Sequence, residues 1–332
     1  MIVDYPTIWA LIMLVGLTVY AALDGFDLGV GILHFTTKNP KEHDLMMSSI
    51  APFWDGNETW LVLIGGGMYS VFPFVYNHVF PLLYMPIMLM LFSLIFRGIC
   101  FEFRFKTQEH YRWVWRWLFA LSSFSAAFLQ GVIIGCFMEG LPLNAAGELL
   151  VDHYSWLTSF TALSGFSTAL IYALMGSTWL WMKLPQPYDS KYRLKAIVVL
   201  MLLLLVWDVY YFMFVPNVFS LNTVPYMPNL LYKLEVIVVF CTVFYSLYRK
   251  YVHLPFLLSL FLVASMVAHA AKMYWPYIAP FNVDIWKASS IPQTQALVLV
   301  GALIFIPLIL VYSIYVYYVF HGKTSIADIH KY

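Results

Sequence analysis

Long apolar runs separated by short polar breaks fill the sequence, and the runs are too long to be strands or half-buried helices of a soluble fold. A helix needs about 20 mostly apolar residues to cross the hydrocarbon core of a bilayer. Runs of that kind lie at 7–33, 51–73, 79–101, 117–138, 156–182, 195–215, 229–248, 254–272 and 295–320. Asn39-Pro40, Asn77, Pro142, Pro185-Gln186-Pro187, Pro216-Asn217 and the stretch from Pro276 to Pro280 fall between them, where turn and breaker residues belong. The pattern predicts an all-α integral membrane protein of about nine transmembrane helices, making a single membrane domain over residues 1–332. The first run starts at Thr7 with no basic segment before it, extends to Gly31 and contains two aspartates. It is expected to be a retained helix and not a cleaved signal.

Composition agrees. Of the 332 residues, 62% are hydrophobic and only 11% are charged. A soluble domain carries about 25% charged residues, so this chain has too few to cover a wet surface. The mean hydropathy is +0.78. A net charge of +1 gives no basic face for nucleic acid. Cys100, Cys136 and Cys241 form no CxxC pair, so neither a disulfide framework nor a thiolate metal site is expected.

The charges also set an orientation. Lys38, Lys41, Arg104, Lys106, Arg112, Arg116, Lys183, Lys191, Arg193, Lys195, Arg249, Lys250, Lys323 and Lys331 are fourteen of the eighteen basic residues. With nine spans, all fourteen fall on one side. The opposite side holds Lys233, Lys272 and Lys287, and Arg97 lies inside the third span. Cytoplasmic loops carry the excess of lysine and arginine. The N-terminus is therefore expected to be periplasmic and the C-terminus cytoplasmic. Trp9, Trp54, Trp60, Trp113, Trp115, Trp117, Trp156, Trp179 and Trp181 stand near predicted span ends, as an interfacial belt would.

Against this apolar background the intramembrane charges stand out. Asp24 and Asp27 are three residues apart and share a helix face. Ala21, Gly25 and Gly29 repeat every four residues, so a neighbouring backbone can approach. The second span opens with Asp55 and Glu58, again three apart, at a helix N-terminus where the dipole favours carboxylates. The third ends with Arg97, Glu102, Arg104 and Lys106. The predicted topology puts Asp24, Asp27, Asp55, Glu58, Arg97 and Glu102 at one depth, near the cytoplasm. A charged residue at mid-membrane costs about 2.5–3.5 kcal/mol on insertion scales. One arginine cannot neutralise five carboxylates, so some must bind a proton, a cation or water, and such a set suits a proton relay. A static ion pair of Arg97 with Asp27 or Asp55 is the structural alternative and is compatible with a relay. Gln130 with Gly131 and Gly135 reads as helix packing. Asp208, Lys233, Glu235, His269 and Lys272 are weaker candidates for contacts across helices. No paired set of deep histidines is evident for holding several hemes.

Four stretches resemble subunit II of the cytochrome bd-type quinol oxidases, including the cyanide-insensitive type. They are Asp24-Gly-Phe-Asp-Leu-Gly-Val-Gly31, Ser49-Ile-Ala-Pro-Phe-Trp-Asp-Gly-Asn57, Phe96-Arg97 with Phe101-Glu-Phe-Arg104, and Pro307-Leu-Ile-Leu-Val-Tyr312. The resemblance runs from the first span through the third and resumes in the ninth. It implies nine helices, arranged as two four-helix bundles plus one peripheral helix. It also implies a heterodimer in the bacterial inner membrane, sometimes with small single-helix accessory subunits. The partner, subunit I, carries hemes b and d and the quinol site. Subunit II is implied to hold no catalytic residue of its own, to stabilise the complex and to contribute to a proton path, with a structural quinone in some members. Carried over by position, Asp27, Asp55 and Arg97 match a buried polar cluster, and Glu102 and Lys106 match residues lining the cytoplasmic proton mouth. Asp24 and Glu58 join the pathway set. A representative member has aspartate at the Glu102 position and glutamine at the Glu58 position. Two other readings use the same residues: a stand-alone proton- or cation-coupled transporter, and a purely structural subunit.

Overall fold

The computed structural model describes residues 3–139, 155–218, 226–279 and 283–325. The side chains of 105 and 207–233 lie outside that description, and with them the expected contacts of Asp208 and Lys233. Twelve α-helices occur among the described residues: α1 (Tyr5–Leu33), α2 (Pro40–Ile50), α3 (Trp54–Val71), α4 (Pro73–Leu82), α5 (Tyr84–Lys106), α6 (Arg112–Glu139), α7 (Ser159–Lys183), α8 (Asp189–Val218), α9 (Tyr226–Tyr248), α10 (Leu254–Tyr274), α11 (Ile285–Ala288) and α12 (Pro292–Val319). A two-stranded antiparallel ribbon, β1 (Tyr277–Ala279) and β2 (Val283–Asp284), precedes α11. Among the described residues six helices are long and apolar enough to cross a membrane, and α3 with α4 makes a seventh if that bent pair is one span.

The ends follow local chemistry. Asp4 caps α1 by accepting from the Thr7 backbone N–H at 3.4 Å, with the Thr7 hydroxyl donating to its other oxygen at 2.6 Å, and Pro6 sits in the first turn, where its missing N–H costs nothing. Between α3 and α4 the chain turns through 116°. Pro73 forces this break: it lacks an N–H and excludes its predecessor from the helical region, and Phe72 takes φ −118°, ψ 61°. The apolar runs 51–73 and 79–101, with Asn77 between them, end the second run at Pro73 but do not foresee α4 as a separate helix, which Pro73 starts.

The α2 helix was not expected. It is too short and too polar to read as a span, yet its start is marked: Asn39 accepts from the Lys41 N–H at 3.1 Å and Pro40 occupies the first helical position.

Within the bundle, α1 is central and packs against α7, α3 and α6. A Cβ at Gly29 would lie 1.7 Å from the Tyr172 carbonyl oxygen, and one at Gly25 would lie 2.6 Å from the Tyr172 ring. The four-residue repeat thus brings two backbones into contact, as small residues do in membranes. Below it Phe26 stacks on Trp179 at 4.3 Å between centroids. Trp9, Trp60, Trp179 and Trp181 are buried, so only part of the expected belt (Trp113 and Trp117 are exposed) faces outward. Trp9 is held by its Nε1–H donating to the Gln295 carbonyl at 3.1 Å. By contrast, α12 exposes Leu303, Ile304, Phe305, Leu308, Val311 and Ile314, an apolar surface that lipid or a partner helix must cover. Its C-terminal end is tied down by Lys183, which donates to the carbonyls of Phe320 and Gly322. All three cysteines are free.

Candidate functional site: a buried arginine and its carboxylates

The first, third and fifth helices deliver the polar groups. Arg97 on α5 is fully buried, and its Nη2 donates to Asp24 Oδ1 at 2.6 Å and to Glu58 Oε1 at 2.5 Å. Asp24 is fully buried, while the Glu58 side chain keeps 25% exposure. The expected partners of Arg97 were Asp27 or Asp55, and the structure corrects both. Asp55 lies one helical turn before Glu58, with a side chain shorter by one methylene, and is turned to the exposed surface. Asp27 is fully buried within the electrostatic reach of Asp24 and Arg97, but its hydrogen bond comes from Asn57 Nδ2 at 2.7 Å.

Asn57 is the site residue the sequence reading quoted without assigning. Its amide also donates to the Leu23 carbonyl at 3.3 Å, and its carbonyl accepts from the Tyr317 hydroxyl at 3.2 Å. One amide therefore joins α1, α3 and α12 at the carboxylate. Gln130, read as packing, is also polar glue. It donates to the Tyr20 hydroxyl at 2.7 Å and accepts from Tyr172 at 2.9 Å, one turn of α1 from Asp24.

Toward the Lys106 end the groups separate. Glu102 and Lys106 pair with each other at 2.8 Å and are 67% and 71% exposed, so they lie at a surface and not in the cluster. Arg104 turns inward instead and grips Asp44 of α2 through Nε at 2.8 Å and Nη2 at 2.5 Å. Beside that pair, His34 and His43 are buried with ring centroids 4.8 Å apart. Burial and the nearby Arg104 and Arg116 push the His43 imidazole down to about 3, so it is neutral. Glu42 is held below the usual carboxylate range: burial opposes this, but hydrogen bonds from Tyr192 and Thr37 and the charges of Lys191 and Lys195 outweigh it. Nothing in composition marked Asp44, His34 or His43; their signal was the capped α2 start, which brings that loop back under α1.

The profile of the cytochrome bd terminal oxidase subunit II family matches residues 5–320. The chain belongs to that family. Its relatives include cytochrome bd-I ubiquinol oxidase subunit 2 of Escherichia coli K12, 35% identical over 190 residues, 54% of this chain and 50% of that protein. The aligned part thus spans about half the length of that relative. A probable cytochrome oxidase subunit 2 of Haemophilus influenzae is 26% identical over 98% of this chain and 96% of its own. Among solved structures, bd oxidase from Geobacillus thermodenitrificans superimposes with a TM-score of 0.74, at 17% identity, covering 94% of this chain and 99% of that one. That likeness concerns the fold. Membership in the bd subunit II family favours the oxidase reading over a stand-alone transporter.

Proposed function

We propose that this chain is the heme-free subunit II of a quinol:dioxygen oxidoreductase in the aerobic respiratory chain of a bacterial inner membrane. It stabilises a heme-bearing subunit I, where hemes b and d and the quinol site lie, and helps deliver cytoplasmic protons for the reduction of O2 to water. The chain crosses the membrane nine times as a single domain, with its N-terminus periplasmic and its C-terminus cytoplasmic. Two four-helix bundles form it, with α12, the least buried span, as the peripheral helix. Its exposed apolar face gives subunit I or a small accessory helix a place to pack.

The observation that carries the proton role is the charge balance. A single buried guanidinium holds Asp24 and Glu58, and a third carboxyl, Asp27, is buried beside them with an amide for its partner. Three carboxyl groups around one cation form a site that can accept and release a proton without leaving the protein. Asp55 and the exposed Glu102–Lys106 pair lie toward the aqueous side and lead to it. Replacing Asp27, Asp24 or Glu58 by its amide in the assembled oxidase should slow oxygen consumption about tenfold while the heme spectrum stays intact. Normal turnover in all three variants would refute the relay, and loss of heme in place of slow turnover would favour a purely structural subunit.

A structural quinone, the cofactor some members hold, would find polar partners near the N-terminal end of α1. A cleft of about 320 Å³ is lined by Tyr5, Pro6, Trp286, Ser290, Ile291 and Gln295. Gln295 Oε1 and Ser290 Oγ are buried there without partners, offering an acceptor and a donor to a quinone headgroup.

A further inference from the structure

Of the thirteen buried side-chain polar atoms that make no well-shaped hydrogen bond among the described residues, six lie on α1 and the neighbouring α2 and α6, toward or just past the end of α1: Asp24 Oδ2, which the Tyr20 hydroxyl approaches, Asp27 Oδ1, Ser123 Oγ, His34 Nε2 and both ring nitrogens of His43. Asp24, Asp27, Ser123 and His43 are fully buried, and His34 is 2% exposed. Helix geometry arranges them in order. At 100° per residue, Asp24, Asp27, Gly31 and His34 fall within about 80° of the α1 circumference and extend over about 15 Å. Ser123 of α6 fills the gap between the carboxylates and the histidines, because a Cβ on Gly31 would lie 2.0 Å from its Oγ. Beyond His34 the path continues to His43 on α2, at the end of the bundle that bears Lys38 and Lys41.

Leaving one such group unsatisfied costs about 1–3 kcal/mol. In native interiors internal waters satisfy such groups, with about three hydrogen bonds each. The chemistry of each group suits water. His34 Nδ1 lies 3.0 Å from the Val30 carbonyl, which can only accept, so Nδ1 carries the proton and Nε2 presents a lone pair. Ser123 offers a hydroxyl donor, and Asp27 Oδ1 an acceptor. The Thr37 backbone approaches the His43 ring, and the His43 backbone that of His34, without forming a well-shaped bond.

We propose that a file of internal water runs along this face of α1, from His43 and His34 past Ser123 to Asp27 and Asp24, as a proton path separate from the exposed Glu102–Lys106 pair. It rests on the proton role proposed for the carboxylate cluster. In each hop a water or hydronium gives one proton to the next oxygen or nitrogen and receives one from behind, so no bond other than O–H or N–H changes. His43 takes a proton on one ring nitrogen and gives it up from the other. Arg104, which pairs with Asp44, and Arg116 both repel an imidazolium, while Glu42 is engaged by Tyr192, Thr37 and Lys191. A proton therefore passes His43 and does not rest there. His34 Nε2 orients the water that follows.

The test uses the assembled oxidase. A high-resolution cryo-EM map of the unmodified complex should show water density within hydrogen-bonding distance of Ser123 Oγ and Asp27 Oδ1, and a dry contact there would overturn the file. In parallel, Ser123→Val replaces the hydroxyl by methyl groups at the narrowest point. We expect it to lower oxygen consumption about tenfold and to raise the solvent isotope effect, with the quinol KM and heme spectrum unchanged. If Asp27→Asn slows turnover and Ser123→Val does not, the file is wrong and the cluster's role stands. If Ser123→Val and the amide variants of Asp27, Asp24 and Glu58 all keep normal turnover, the cluster's role itself fails.

Discussion

Replacing Arg97 by leucine is the sharpest perturbation of the site, because it removes the one cation and leaves Asp24, Glu58 and Asp27 in place. Asp24 and Arg97 are both fully buried, so water cannot take over the arginine's part at that carboxylate. Breaking a buried ion pair from one side costs about 3–5 kcal/mol. A second estimate agrees. The stranded aspartate can escape by folding with an extra proton, and protonating a carboxyl of ordinary pKa of about 3.9 at pH 7 costs about 4 kcal/mol, at 1.36 kcal/mol per unit. The two routes converge because they describe the same penalty.

The second estimate adds a pH signature. A variant that must take up a proton to fold binds more protons folded than unfolded, so its stability falls as pH rises. For each such carboxyl the deficit relative to wild type should therefore shrink by about 1.4 kcal/mol per unit as pH is lowered from 7.5. The assay is thermal loss of the heme spectrum of the purified complex at pH 7.5 and 5.5. Arg97→Leu with Asp24→Asn should recover part of the loss at pH 7.5, and Arg97→Lys, which keeps the charge, should lie nearer wild type. An equal deficit at both pH values, or no gain from Asp24→Asn, would refute the reasoning.

Two further outcomes follow from geometry outside that pair. Gly29→Ala should lower the melting temperature of the complex by several degrees, because its Cβ would meet the Tyr172 carbonyl backbone at 1.7 Å and overpacking costs about 1–3 kcal/mol, whereas Gly16→Ala, with 3.6 Å to the nearest atom, should be tolerated. His43, pushed down to about 3 when folded against an ordinary 6.5, leaves the stability of α2 intact above about pH 6.5 and erodes it as pH falls toward 3; hydrogen exchange of the α2 amides, corrected for intrinsic rates, should show that loss, and His43→Phe should make the slope shallower while the share from Glu42 and His34 remains.

How much of this was legible in the sequence depended on which length scale carried the signal. Membrane class and helical runs came from hydropathy, and the grouping of Asp24, Asp27, Glu58 and Arg97 came from their places along those runs, because those quantities are set residue by residue. Partner choice was not legible. Asp55 and Glu58 are both carboxylates three apart near a helix start, and only the rotation of α3 against α5 decides that Glu58 meets Arg97 and Asp55 faces outward. Asn57 and Gln130 escaped assignment because a neutral amide in an apolar run has no long-range signature; its role exists only once a carboxylate or a tyrosine has been packed against it. The helix α2 was missed because span detection averages over about 20 residues and erases an eleven-residue helix.

That missed helix changes what the cluster can do. Without α2, the end of α1 would open directly to water, and His34 would be one more wet residue at a span end. With it, Arg104 is drawn inward onto Asp44, and the two histidines are sealed above that pair. The polar face of α1 thereby becomes an interior lined with groups seeking partners. The glycine face of the same helix, at Gly25 and Gly29, is clamped onto α7 backbone. The rigid contact on one side holds the carboxylates in fixed register with Ser123 and His34 on the other. A proton path needs such fixed spacing, since a hop fails once donor and acceptor drift beyond hydrogen-bond reach of about 3 Å. Tight helix packing and a hydrated polar face are therefore two consequences of one sequence feature, the run from Asp24 to His34.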